Sequence, residues 1–373
     1  MRCAYQGGLA GLLCALLLGS CMSPTPTAPA GTSAAPSPAA VEAGPARPPA
    51  AVPSAAALGH PVVVRVGNNA GLADAPIFIA MARGYFAERG LAVEPVEFAA
   101  GGEMIPAVAT GQLEVASGGV SASLFNSFQR GLDLKIVADR SRIMRGAPYF
   151  AIATRPERLP DFSDYSALRG KRIALPGRGS IGEYMLNKAA ERGGVNIAEI
   201  DVQGMGGADT ITSTANGSVD AAMTADPFLT QGVHRGLLLL WRTADEFADG
   251  TQAGVLVYGG KFIREQQEAG RQFMVAYLKG VRDYYRAFLQ GIDRQGIAEL
   301  LAQNTALKDV EIYLNLVAPY GIDPDGAVNA DSLREQYSYW IERGAAQAGF
   351  DIANAVDLQF LRYAIEQIGR FQH

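Results

Sequence analysis

After position 21 the sequence contains no cysteine. A disulfide framework, a cysteine-ligated zinc site and a thiol nucleophile are therefore excluded from the main body of the chain. Histidine is equally scarce, and the three present (His60, His234, His373) are too scattered to form a metal or acid-base constellation. Positive charge is not in excess: 32 Lys and Arg stand against 37 Asp and Glu, a formal charge of -5 with no basic run, which excludes a nucleic-acid partner. No segment beyond the first 21 residues offers 18 consecutive apolar residues, so no permanent membrane span is expected there. What remains is a chain of 373 residues, 49% hydrophobic and 18% charged, long enough to bury the cores of two ordinary domains.

All three cysteines (Cys3, Cys14, Cys21) fall in a start that has the order of a secretory signal, with Arg2 followed by a small-apolar stretch from Gly7 to Ser20. As a helix that stretch would cover about 21 Å, short of the roughly 30 Å hydrocarbon layer. Its end, Leu18-Gly19-Ser20-Cys21, resembles a bacterial lipobox. Residues 1–20 are thus expected to be a removable leader, and Cys21 the lipidated N-terminus of an exported protein anchored to the membrane. Residues 22–59 hold nine of the 20 prolines and only two charges, Glu42 and Arg47. Proline removes amide donors and fixes φ, so residues 21–59 read as a tether reaching about 35 to 120 Å.

Order is expected from residue 60. Val62–Val66 is a β-branched run, Pro76–Arg83 is helix-like, Gly84 breaks it, Gly90 caps a short turn, and Leu91–Phe98 reads as a second strand. Strand, helix, strand at this spacing is a βαβ unit with a parallel sheet. The pattern then recurs. Thr110-Gly-Gln-Leu-Glu-Val115 is matched by Asn216-Gly-Ser-Val-Asp-Ala221, Glu88-Arg89-Gly90 by Glu191-Arg192-Gly193, and Val63–Val66 by Arg172–Leu175. The expected fold is α/β, with two Rossmann-like lobes and a hinged cleft. Residues 60–152 plus 251–373 form the first lobe, residues 153–250 the second. The helical remainder (261–289, 297–303, 310–318, 331–343, 355–367) packs back on the first lobe.

Ligands in open α/β sheets bind beyond the carboxyl ends of the strands. The loops there carry Asn69, Asp74, Gly102, Glu103, Met104, Gly119, Ser121, Arg178, Ser180 and Asp226, with Tyr149 near the chain crossing. Glycine lets amides approach a ligand closely, and helix N-termini add the positive end of their dipole, so such loops suit polar or anionic small molecules. Arg178 is the candidate for charge pairing. Ser180 and Glu183 fit a capping box, and Asp74 and Asp226 are expected to oppose each other across the cleft as hydrogen-bonding or cation-recognising groups. Met104, Tyr149 and Phe125 could supply apolar walls, although Phe125 also fits a core face. Gly177-Arg-Gly-Ser-Ile-Gly182 satisfies G-x-G-x-x-G, which leaves a dinucleotide-dependent reaction as an alternative.

Taken in order, Ala75-Pro76-Ile77-Phe78-Ile79-Ala80, Gly84-Tyr85-Phe86, Gly102-Glu103-Met104-Ile105-Pro106-Ala107, Thr110-Gly111-Gln112-Leu113-Glu114, Leu168-Arg169-Gly170-Lys171-Arg172 and Asp226-Pro227 carry a resemblance. Across residues 62–373 the chain resembles substrate-binding proteins of the sulfonate, nitrate, taurine and thiamine-precursor group that serve ABC importers. The resemblance implies a type II periplasmic-binding fold and a monomer without cofactor or catalysis. It also implies closure on a small-molecule solute and delivery to an ABC permease with a cytoplasmic ATPase. Glu114 stands where the family often has Asp, a departure expected to affect turn packing. The cysteine-rich motif of pyrimidine-synthesising relatives is absent. An enzyme in the same cleft and a sensor or surface protein without transport are the alternatives.

Overall fold

The computed structural model describes residues 61–69, 71–98, 101–305 and 307–372; the expected leader, lipidated Cys21 and tether lie outside them. Ten strands are present: β1 (Val62–Asn68), β2 (Leu91–Glu97), β3 (Val115–Gly119), β4 (Leu134–Arg142), β5 (Phe150–Thr154), β6 (Arg172–Leu175), β7 (Asp201–Gly204), β8 (Ala221–Ala225), β9 (Leu239–Thr243) and β10 (Gln252–Gly259). The helices are α1 (Ala75–Ala82), α2 (Gly101–Ala109), α3 (Ala122–Gln129), α4 (Ile181–Arg192), α5 (Gly207–Ala215), α6 (Phe228–His234), α7 (Gly260–Glu265), α8 (Gln267–Leu289), α9 (Arg294–Asn304), α10 (Val310–Leu314), α11 (Ala330–Glu342) and α12 (Gln359–Ile368).

The strands form two sheets with the same plan, β2-β1-β3-β10-β4 and β7-β6-β8-β5-β9. In each, the first three strands are parallel and the fourth runs antiparallel to both its neighbours. The sheets are therefore mixed, where the βαβ pattern alone predicts parallel pairing. The fourth strands, β5 and β10, are the two chain crossings, so each lobe is completed by the strand that enters or leaves it.

The repeated acids hold equivalent places. Glu114 accepts from the Arg65 amide at 2.7 Å and from its guanidinium Nη2 at 2.6 Å, tying the turn before β3 to β1. Asp220 accepts from the Arg172 amide at 2.9 Å, tying the turn before β8 to β6. Glu114 thus acts in turn packing, as expected from its place.

Helices cover both faces of the first sheet. α8 buries Phe273, Tyr277, Val281, Tyr284 and Phe288 along one face, the spacing of an amphipathic helix, and buries one charge, Arg282, against Asp325 at 2.7 Å. Each such side chain contributes roughly 1.5–3 kcal/mol by leaving water. Close approach to α1 requires Gly280, since a Cβ there would lie 2.1 Å from the Pro76 carbonyl oxygen. On the other face, one apolar cluster runs from Met104, Phe125 and Val255 into Leu175, Met185 and Trp241 of the second lobe and on to Tyr337 and Trp340. No helix among the described residues is long and apolar enough to cross a membrane.

One C-terminal element differs from the helical reading. The helix expected over 310–318 stops at Leu314, and the chain then passes between the lobes as a turn and bend. There the amides of Val317 and Ala318 donate to the Thr230 hydroxyl (2.9 Å) and the Asp226 carboxylate (2.8 Å), and the Tyr149 amide donates to the Pro319 carbonyl (3.1 Å). These partners are better acceptors for that strip than a further helical turn would supply. α11 is fixed to β10 through Ser332 and Gln336, and it also meets α4, where Lys188 pairs with Glu335 at 2.8 Å. α8, α9 and α12 pack on the first lobe.

Candidate ligand-binding site

The lobes meet where α3 and α4 begin. Ser121 and Ser180 form an isolated antiparallel bridge, and the Ala122 amide donates to the Gly179 carbonyl at 3.0 Å. Beside this contact a small pocket is lined by Gly101, Gly118, Gly119 and Ser121 together with the apolar Ile105 and Leu124. Ser121 caps α3, its hydroxyl accepting from the Leu124 amide. Gly102 gives α2 room against Ser123, whose hydroxyl would lie 2.6 Å from a Cβ there. Glu103 is exposed on the first turn of α2. Gly119 lies at the end of β3, where a Cβ would be 3.6 Å from Ile181 of the other lobe. Gly102, Glu103, Gly119 and Ser121, with Ser180, are thus brought to the junction.

Others expected at the site are turned inward. Met104 is fully buried and packs under α2 in the core, so it is no cleft wall. Asp74 is also fully buried: its Oδ1 accepts from the Ser117 hydroxyl (2.6 Å) and Arg140 Nε (3.0 Å), its Oδ2 from the Asn69 amide (3.1 Å). The Asn69 side chain bridges to the Phe98 carbonyl at 3.1 Å. Asp226 accepts from the amide and hydroxyl of Thr230 and from Ala318, and burial pushes its carboxyl above the ordinary range against the pull of those donors. Neither acid is free to oppose the other across a cleft, because each already has donors on both oxygens.

The glycine loop before α4 also differs. Ser180 donates to the Gly177 carbonyl at 2.6 Å instead of accepting from the helix, and Glu183 accepts from the amide of Gly179, one residue before the cap, at 2.7 Å, so the expected capping box does not form. Arg178 donates to the Val202 carbonyl at 2.7 Å, toward the edge of the sheet. Gly177 sits at φ 117, and a Cβ on Gly204 would lie 3.2 Å from its Cα. Close approach of two loops explains these glycines without a pyrophosphate.

Three residues that bear on the site escape sequence reading: Ser117, Arg140 and Tyr320. Arg140, 3% exposed, reaches from β4 past Gly254 of β10 and Ser117 of β3 to Asp74 beyond the end of β1. Burial opposes its charge, but Asp74, with Tyr149 and Tyr277, raises its pKa on balance. The Tyr149 phenol lies beside the guanidinium, raised by burial while Arg140 opposes the shift. Tyr149 also holds a left-handed backbone, φ 59, uncommon for a bulky residue and stabilised here by its bond to Pro319. The available signal was the run Asp139-Arg140-Ser141, three buried polar residues in succession at a strand end.

Comparison with known proteins places this arrangement. The chain is 27% identical to the riboflavin-binding protein RibY of Chloroflexus aurantiacus, over 94% of this chain and 96% of that protein. Its fold matches the periplasmic aliphatic sulphonate-binding protein SsuA of Escherichia coli (TM-score 0.65, 18% identity, 79% of this chain and 97% of that one). It also matches the periplasmic nitrate-binding protein NrtA of Synechocystis PCC 6803 (TM-score 0.67, 13% identity, 83% and 89%). A family model described as NMT1/THI5 like matches residues 73–287, more than half of the sequence, and with the two-lobed fold this makes the chain a member of the NMT1/THI5-like family.

Proposed function

We propose that the protein is the extracytoplasmic solute-binding component of an ABC importer. It captures a small polar solute between its lobes and delivers it to a membrane permease driven by a cytoplasmic ATPase. Family membership supports this reading, and the observation that carries it is the junction itself. Two sheets of identical plan are joined by crossing strands, and they touch through Ser121, Ala122, Gly179 and Ser180 beside a small pocket lined by Gly101, Gly118 and Gly119. Hinge opening would part that contact and admit a solute. Lipidation of Cys21 and a proline-rich tether would hold the binder at the membrane, facing the periplasm or cell exterior.

The solute classes to test are those bound by the relatives: riboflavin, aliphatic sulfonates and nitrate. A thermal-shift series on the full-length protein with riboflavin, taurine, ethanesulfonate and nitrate decides among them, since a ligand at 100 times its Kd adds about 2.7 kcal/mol to stability. Stabilisation by one class assigns it. Failure of every solute, with stabilisation by NAD, would favour the dinucleotide enzyme instead. The arrangement lends that enzyme no support, because Asp74 and Asp226 have donors on both oxygens and the glycine loop is explained by packing.

A further inference from the structure

Arg140 is a buried cation at the interlobe end of the first sheet, held along the Nε edge of its guanidinium. Its Nε is committed to Asp74 and Ser117, at 3.0 and 2.8 Å. Beyond these, its side-chain partner is the Tyr149 phenol; no carbonyl or carboxylate among the described residues accepts from its terminal nitrogens, and its side chain is only 4% exposed. A planar guanidinium held by its Nε edge presents the outer pair of N–H donors in a fixed orientation. Tyr149 lies beside the guanidinium, and the buried hydroxyl of Tyr320, whose ring is 5.9 Å from that of Tyr149, has no hydrogen-bond partner among the described residues. Gly254 makes room for the guanidinium itself, because a Cβ there would sit 3.0 Å from Arg140 Nη1.

We propose that the outer edge of Arg140, with Tyr149 beside it, anchors the solute by a bidentate contact to two adjacent acceptor atoms on an uncharged heteroaromatic ring. A carbonyl oxygen next to an unprotonated ring nitrogen has the spacing the fork requires, as arginine reads on guanine. The charge of Arg140 is already balanced by Asp74. A fully anionic head group would leave that site with a net negative charge in a desolvated place, whereas a neutral acceptor pair would not. This deepens the solute-binding reading and rests on it.

The test is titration of riboflavin, which carries such acceptor pairs, and of ethanesulfonate into the full-length wild type, Arg140→Lys and Tyr149→Phe. Lysine retains a partner for Asp74 but not the fork. Arg140→Lys is expected to weaken riboflavin at least tenfold while melting cooperatively, Tyr149→Phe to weaken it severalfold, and wild-type affinity to be insensitive to salt. Should Arg140→Lys fail to fold, Asp74→Asn/Arg140→Met, which removes both charges, is read in its place. Undiminished riboflavin binding by the folded Arg140 variant overturns the anchor and leaves solute binding intact. Tighter binding of ethanesulfonate than of riboflavin overturns the uncharged class. A wild type that binds neither compound takes the anchor down together with solute binding by these classes.

Discussion

Asp226, in the turn after β8 of the second lobe, accepts a 2.8 Å hydrogen bond from the backbone amide of Ala318, 92 positions later in the chain. The same carboxylate holds Thr230, whose hydroxyl accepts from the Val317 amide. A passage of the C-terminal region is thereby fastened to the second lobe just before it returns to Arg142 and Gly321 at the first. The lobes are linked here as well as through β5 and β10.

Removing that carboxylate should be costly. Asp226→Ala leaves the Ala318 and Thr230 amides without their buried acceptor, and a loss of about 2–3 kcal/mol is expected. Asp226→Asn, which keeps one acceptor oxygen, should lose less. Urea unfolding at constant m-value measures both, and an alanine variant within 0.5 kcal/mol of wild type would show that water replaces the carboxylate.

Asp139 supplies a pH dependence. It is fully buried, and desolvation pushes its carboxyl up to about 6 despite Arg142, the Asp323 amide and Gln252. Because the folded value lies above the unfolded value near 3.9, the folded state retains the proton longer. Its favourable contribution is complete below about pH 4 and is lost as pH rises through 6, on the order of 2–3 kcal/mol. Asp139→Asn removes this titration, so the stability of wild type relative to the variant should decline between pH 4 and 7. A pH-independent difference would refute the assignment.

Gly254→Ala tests the space around Arg140. The new methyl would meet Ser141 Oγ at 2.7 Å, Arg140 Nη1 at 3.0 Å and the Gly118 carbonyl at 3.1 Å. A destabilisation of about 1–3 kcal/mol is expected, with solute affinity reduced as the guanidinium shifts. Calorimetry reads both effects, and unchanged affinity would mean that the guanidinium edge is not at the solute.

The strut between Lys188 and Glu335 should contribute little to stability. The pair is 2.8 Å apart, with side chains 26% and 57% exposed. A double-mutant cycle through Lys188→Met and Glu335→Gln should give a coupling below about 1 kcal/mol that fades in salt. A larger, salt-resistant value would indicate that the lobes hold this pair in a drier junction.

Much of the scaffold was legible. Gly90 caps its turn in the left-handed region at φ 72, and β2 follows at once, as the local sequence demanded. The recurrence of Glu114 and Asp220 was readable as spacing, and each acid holds the arginine of the strand it pairs beside. Such features depend on residues close in sequence or on a pattern repeated twice.

The site was less legible. Asp74 and Arg140 are 66 positions apart, and they meet only because β10, arriving more than a hundred residues after β4, inserts between β3 and β4 and carries a glycine where the side chain must pass. By itself the sequence determined the strands, the caps and the two-fold repetition, because these follow from local sterics and hydrophobic period. Tertiary structure alone decided that Asp74, Asp226 and Met104 would face inward and Arg140 would lie at the junction. Burial drives each polar group to whichever partner the sheet order brings within hydrogen-bonding distance, and that order is not written in any single segment.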